Sequence, residues 1–230
     1  MPEWLRWALG LAITASIIAV PAVHFRALFA HAKRLREVTP ERFYRCGQLT
    51  ATGFREAFQR YGIRTVLNLQ DEAPDPLLRE TYYDAPSVLE SDLCREHGVR
   101  YRVLYFDLLP RNRLTSERPA VIDAYLQILD DPDAYPILLH CKAGLHRTGL
   151  LTAIYRMEKE GWSKGAALRE LRANGFGDSV SNTSNDYVMQ LLELYVPGQR
   201  RVPASPTVYG VLGCGARARD FSTAPIEGPR

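Results

Sequence analysis

His140-Cys141-Lys142-Ala143-Gly144-Leu145-His146-Arg147-Thr148-Gly149 decides how the rest of the chain is read, because it sets a thiol and a guanidinium six positions apart across a glycine-containing loop. Before it, Tyr135-Pro136-Ile137-Leu138-Leu139 reads as a short buried strand. After it, Leu150 to Lys159 has helical composition and length. A loop between a strand end and a helix N-terminus can hold a dianion, since the first N–H groups of a helix lack intrahelical partners and the peptide dipoles add positive charge there. Arg147 adds a planar fork that grips two oxygens of one phosphate. The same field favours a thiolate, so Cys141 is expected to act as the nucleophile. Thr148 can donate its hydroxyl to that sulfur, and His140 is expected to hold the loop from behind. Lys142, Ala143, Gly144, Leu145, His146 and Arg147 form the expected phosphate-binding loop, with Lys142 and His146 at its rim. Extra positive charge at the rim favours a substrate with more than one phosphate.

These ten residues resemble the signature of the cysteine-dependent protein tyrosine and dual-specificity phosphatases. Lys142-Ala143-Gly144 looks most like the branch acting on phosphoinositides. His146 before Arg147 looks like the atypical branch that includes inositol pyrophosphate phosphatases. Phe43-Tyr44-Arg45-Cys46-Gly47-Gln48-Leu49 and Gly62-Ile63-Arg64-Thr65-Val66-Leu67-Asn68-Leu69 resemble the opening strand, helix and strand of compact bacterial members. As an order of elements the resemblance runs from Arg36 to Val196. It implies a phosphocysteine intermediate, no metal and no cofactor, and phosphorylated protein, phosphoinositide or inositol phosphate as substrate.

It also implies a general acid on a loop before the cysteine, to protonate the leaving oxygen. Asp107 is the candidate, where the apolar Val103-Leu104-Tyr105-Phe106 runs out toward Pro110; Asp71, at the exit of another strand, is its rival. A turn or capping role is the plain alternative for Asp107. Ser116 and Glu117 read as the start of the next helix. A sulfur-transfer cradle of the rhodanese type usually has one residue fewer between cysteine and arginine. A phosphate-binding module that has lost turnover, anchored at a membrane, is the alternative of a different class.

Trp7 to Phe25 contains no Asp, Glu, Lys or Arg. A helix of this length spans roughly 28 Å, about one hydrocarbon core. Trp4 and Trp7 suit the interface, and Arg26, Lys33, Arg34 and Arg36 follow the segment while Arg6 stands alone before it. The positive-inside bias then keeps the following domain in the cytoplasm. A cleaved signal peptide is the rival, with Val20-Pro21-Ala22 as a weak cleavage site; export would allow pairing among Cys46, Cys94, Cys141 and Cys214.

The expected class is α/β: a small, mainly parallel sheet flanked by helices, dual-specificity-phosphatase-like, preceded by one transmembrane helix. Its parts are an anchor and basic juxtamembrane segment at 1–35, the phosphatase domain at 36–196 and a flexible basic tail at 197–230. Strands are expected at Phe43–Leu49, Arg64–Leu69, Arg100–Phe106 and Pro136–His140. Helices are expected at Ala51–Tyr61, Ser87–His97 and Ser116–Leu129, and Ser181-Asn182-Thr183-Ser184-Asn185 should cap the last helix. The tail's five Arg against Asp220 and Glu227 equal the whole formal charge of +3, so the remainder carries no nucleic-acid footprint. A basic tail beside a membrane could touch anionic lipid, although a solvated tail needs no partner.

Membrane fractionation checks the start of the chain. The mature protein should begin near Met1, resist salt extraction and expose its domain only to cytoplasmic protease; a mature N-terminus near residue 23 identifies a signal peptide instead.

Overall fold

Ile137, Leu138 and Leu139 are wholly buried, and alternate side chains of the strand they form enter two different cores. That is why the run shows no polar alternation. The computed structural model describes residues 2–30, 32–81, 86–105, 118–177 and 183–201. In chain order these form α1 (Glu3–Ala30), β1 (Arg36–Thr39), β2 (Phe43–Cys46), α2 (Ala51–Tyr61), β3 (Thr65–Asn68), β4 (Leu77–Arg79), β5 (Pro86–Leu89), α3 (Glu90–Glu96) and β6 (Arg100–Val103). There follow α4 (Ala120–Asp130), β7 (Ile137–His140), α5 (His146–Lys159), α6 (Lys164–Ala173) and α7 (Thr183–Leu194).

The main sheet has the order β1-β2-β7-β3-β6, with β1 antiparallel at one edge and the other strands parallel. On one face Phe43, Leu67, Ile137 and Leu139 pack with Tyr125, Leu126, Leu150, Ile154 and Val188 from the later helices. On the other, Tyr44, Val66 and Leu138 pack with Phe54 of α2 and Leu93 of α3. His140 lies in register with Cys46 on one side and Asn68 on the other. Three parallel strands therefore end at one level. The chain leaves them through Gly47, Leu69 and Cys141, the end of an open α/β sheet where ligands bind.

Several elements differ from the sequence expectation. The helix expected at Ser87–His97 begins only at Glu90, because Pro86–Leu89 pairs antiparallel with Leu77–Arg79. Ser87 donates to the Leu78 carbonyl at 3.1 Å, and the cap for α3 comes from outside it: Asp75 accepts from the Ser91 amide at 3.0 Å and its hydroxyl at 2.8 Å. A short apolar run fits either element, and the pairing decided. β2 stops at Cys46 rather than Leu49, since Gln48 gives its amide to Lys142 O at 3.2 Å. β6 is described as a strand only to Val103, α4 starts at Ala120, and α5 begins at His146, four residues before the expected Leu150. The edge strand β1 was not expected; its exposed Arg36 and Glu37 carry no strand signal. Asp107, Ser116, Glu117, Ser181, Asn182 and Cys214 lie outside the described residues, as does the tail beyond Arg201.

Contacts cross both of the expected domain boundaries. Arg200 pairs with Asp130 at 2.8 Å and with Glu158 at 2.8 Å, and Gly47 N donates to Lys33 O at 2.7 Å. Through Phe25, α1 is long and apolar enough to cross a membrane; Trp7, Leu11 and Ile18 are exposed, and the span buries nothing in the domain. A helix apolar on every side is suited to lipid.

Because Leu138 lies between α2, α3 and the sheet's central line, Leu138→Ala should cost ~2–5 kcal/mol in urea unfolding of the detergent-solubilised chain. A loss below ~1 kcal/mol would show that the second core does not depend on β7.

Candidate active site

The loop between β7 and α5 folds over Cys141, whose side chain is 5 % exposed. Gly144 N donates to Cys141 Sγ at 3.2 Å. Two guanidiniums fix the loop from outside: Arg34 Nη1 donates to Ala143 O at 2.9 Å and Arg45 Nη2 to Gly144 O at 2.8 Å. With these carbonyls held outward, the Gly144 amide turns inward to the sulfur. Arg45 is buried, which draws its pKa down to about 10 and still leaves it a cation at neutral pH. Gly144 has φ +73°, and a Cβ there would lie 2.6 Å from Gly47 N and 2.7 Å from Cys46 O. Only glycine fits, because both contacts are rigid backbone.

α5 starts directly after the loop, with Leu145 as an N-cap residue that offers no side-chain bond to the first amides. The first amides of a helix lack intrahelical partners, and no side chain of Leu145 caps them here. Arg147 rests on the end of β3, with Nη1 3.2 Å from Leu69 O and Nη2 2.6 Å from Asp71 Oδ1. Its Nε is buried without a partner, as is the hydroxyl of Thr148. Buried donors without acceptors are costly and point to a polar ligand. The resting sulfur takes its hydrogen bond from Gly144 and not from Thr148. Thr148 is fully buried at the first turn of α5.

Beneath the loop lies a polar chain that sequence reasoning missed. His140 Nε2 meets Glu90 Oε1 at 2.7 Å, and both side chains are completely buried. Glu90 Oε2 accepts from Gln48 Nε2 at 2.8 Å, and Gln70 donates to Gln48 Oε1. The exits of β2, β3 and β7 are thus joined to the start of α3. His140 Nδ1 makes no hydrogen bond. Nothing in Val88-Leu89-Glu90-Ser91 distinguishes Glu90 from an ordinary acid in a first helical turn; only the fold brings it under Cys141.

The remaining expected residues are spread around the pocket. Lys142 is exposed and 3.8 Å from Glu72, a pair too solvated to matter energetically. His146 is half-buried, with its ring edge against Phe176 at 5.7 Å between centroids. Ala143 and Leu145 contribute main chain. Asp71, the rival acid, is brought to the site as the partner of Arg147. Cys46 and Cys94 are buried, which pushes both thiols up and keeps them from serving as nucleophiles. Among the described residues no group of acidic, Cys and His side chains could hold a metal ion.

A strand-loop-helix with a buried cysteine at the strand end and an arginine in the first turn of the helix is the arrangement of the dual-specificity-phosphatase-like proteins, and similarity to known proteins gives the same class. Residues 22–187 match the family described as "DSP-PTPase phosphatase fused to NAD+ Kinase", and the chain belongs to that family. It is 56 % identical over 43 residues to the dual specificity protein phosphatase TpbA of Pseudomonas aeruginosa, a match spanning 19 % of this chain and 20 % of TpbA. It is 40 % identical over 57 residues to the inositol diphosphatase DSP3 of Arabidopsis thaliana, over 25 % of this chain and 27 % of that protein. These matches span only about a fifth to a quarter of the relatives' length. The P. aeruginosa TpbA structure superposes with a TM-score of 0.50 at 26 % identity, over 71 % of this chain and 89 % of that one. The core catalytic domain of the PP-IP phosphatase SIW14 from S. cerevisiae gives 0.52 at 20 % identity, over 69 % and 85 %, a likeness of fold.

Gly144→Ala and Gly177→Ala separate backbone strain from closeness, because both positions have positive φ but only Gly144 has atoms in the way. Gly144→Ala should weaken inorganic phosphate binding by more than ~10-fold, or ~1.4 kcal/mol, and Gly177→Ala should leave it near wild type. Equal effects would show that the loop does not depend on its contact with β2.

Proposed function

We propose that this chain is a cysteine-dependent phosphatase that hydrolyses phosphate monoesters through a phosphocysteine intermediate. The observation that carries this reading is the loop from Cys141 to Thr148: the Gly144 amide lies 3.2 Å from the Cys141 sulfur, and Arg147 Nε and the Thr148 hydroxyl, at the start of α5, are buried and unpaired. Family membership supports the same reading.

Cys141 attacks phosphorus in line with the leaving oxygen, so that an S–P bond forms as the O–P bond breaks. Arg147 exchanges its contact with Asp71 for two phosphate oxygens, and the loop amides take the others. Asp107 is assigned the proton for the leaving oxygen on its place in the sequence, where Val103-Leu104-Tyr105-Phe106 runs out before Pro110. Water then attacks phosphorus and gives its proton to the Asp107 carboxylate as the S–P bond breaks, releasing inorganic phosphate and regenerating the Cys141 thiolate. Thr148 donates to the sulfur as it leaves. Glu90 and His140 hold the loop from below throughout.

The substrate class is a phosphorylated protein or a phosphoinositide or inositol phosphate. TpbA and DSP3 support this range by what their names say of them. The apolar span Glu3–Phe25 and the cations after it support a single-pass anchor that keeps the catalytic domain at the cytoplasmic face. A signal peptide cleaved on export is the competing reading of that segment.

Cys141→Ser should abolish hydrolysis of an aryl phosphate while phosphate-analogue binding stays measurable. Asp107→Asn should slow phenyl phosphate by ~100-fold or more, in the range of general acid catalysis, and harm activated esters far less. A wild-type chain that binds phosphates yet turns over none of them would instead be a silent phosphate-binding module.

A further inference from the structure

Lys33 and Arg34 follow α1 by three and four positions; Arg34 reaches the loop after Cys141, and Lys33 lies on Gly47 beside that loop. The link is built into the main chain: Gly47 N donates to Lys33 O at 2.7 Å, and Leu35 N closes a turn onto Ala32 O at 2.6 Å. Arg34 itself has φ +53°, a left-handed conformation that a non-glycine residue holds at a cost. The strained turn places the Arg34 fork on Ala143 O at 2.9 Å. It also lays the Lys33 stem on Gly47, where a Cβ would meet Lys33 Cδ at 2.9 Å and the Ala143 carbonyl carbon at 3.1 Å. Lys33, Gly47 and Ala143 therefore form three contiguous layers at the edge of the pocket.

The charge at this edge is unbalanced. Lys33 is half-buried, and among the described residues no carboxylate pairs with it. Burial and the neighbouring Arg34 and Lys142 lower its pKa, whereas the groups that favour its charged form are the sulfurs of Cys141 and Cys46. Asp71 is taken by Arg147, and Glu72 faces Lys142 only across 3.8 Å. Cations gathered without anions cost free energy that a bound polyanion relieves. One phosphate occupies the cradle of Arg147 and the loop amides. It does not account for Lys33, a cation without a carboxylate partner among the described residues, whose stem lies on Gly47 close to Ala143.

We propose that Lys33 is a specificity-determining residue of the pocket, receiving a second phosphate of the substrate next to the one held over Cys141. The inference rests on the phosphatase reading above and goes beyond it, because it assigns substrate choice to a residue outside the phosphate loop and next to the apolar helix. Three positions separate Lys33 from the end of α1 at Ala30, a reach of ~10 Å at most. The shared chemistry is a substrate bearing two neighbouring phosphates, whether on a soluble inositol or on a lipid headgroup in the bilayer that α1 would span.

The test uses the full chain in detergent and in vesicles, with wild type, Lys33→Met and Lys33→Arg. Methionine keeps the stem on Gly47 and removes the charge, and arginine restores it. The readout is the ratio of kcat/KM for a vicinal inositol bisphosphate over the matching monophosphate. The same ratio is measured for phosphatidylinositol bisphosphate over monophosphate in phosphatidylcholine vesicles. Lys33→Met should lower the ratio at least ~10-fold, within the range for a charge-assisted hydrogen bond, and Lys33→Arg should recover most of it. A fall seen in only one pair identifies the source of the substrate as soluble or lipid. Loss of both rates in step, with no change of ratio, overturns the proposal and reduces Lys33 to a support for the loop. A wild-type chain that hydrolyses neither mono- nor bisphosphates removes the phosphatase reading and this inference with it, and a thermal melt of each variant separates these outcomes from misfolding.

Discussion

Everything at the site depends on Gly144 lying against the backbone of Cys46 and Gly47, closer than any side chain would permit. That contact presses the loop between β7 and α5 onto the end of β2 and gives it one shape. Since β2 and β3 both pair with β7 in parallel register, the loop inherits a fixed position relative to Leu69 and Asp71 as well. The sheet thus acts as a ruler. Its own rigidity comes from burying β7 on both faces, and the two cores transmit that rigidity to the loop.

Charge follows from the same geometry. Arg34 and Arg45 hold carbonyls from outside the loop, Arg147 waits on Asp71 inside it, and Glu90 lies wholly buried below His140. A buried carboxylate is tolerable only when its oxygens are matched, and here His140 and Gln48 occupy both. Removing one member would leave the others desolvated and unpaired. The network therefore ties the loop to α3 more specifically than apolar packing could.

The fold class and the loop were legible because both depend on local pattern. An apolar run, a glycine, a thiol and a guanidinium at set spacing are visible in ten residues, and the strand-helix alternation around them follows from periodicity. What was hidden depends on distant pairing. β5 was read as the start of a helix because Pro86–Leu89 becomes a strand only by meeting Leu77–Arg79. Glu90, Gln48 and Gln70 have no local signal; they matter because three strand exits converge. Likewise Lys33 and Arg34 read in sequence as positive charge beside a membrane, and only the fold brings Arg34 to Ala143 and Lys33 to Gly47. Asp107 remains a sequence assignment, outside the described residues.

The central claim is that the buried sulfur of Cys141 becomes covalently bonded to phosphorus. Rapid acid quench of the full chain during turnover of an aryl phosphate, followed by peptide mass spectrometry, tests it directly. A phosphoryl group should appear on the peptide containing Cys141, accumulate before phosphate release and be absent from Cys141→Ser. Steady turnover with that peptide unmodified at every time point, or with the phosphoryl group on a histidine, would contradict it.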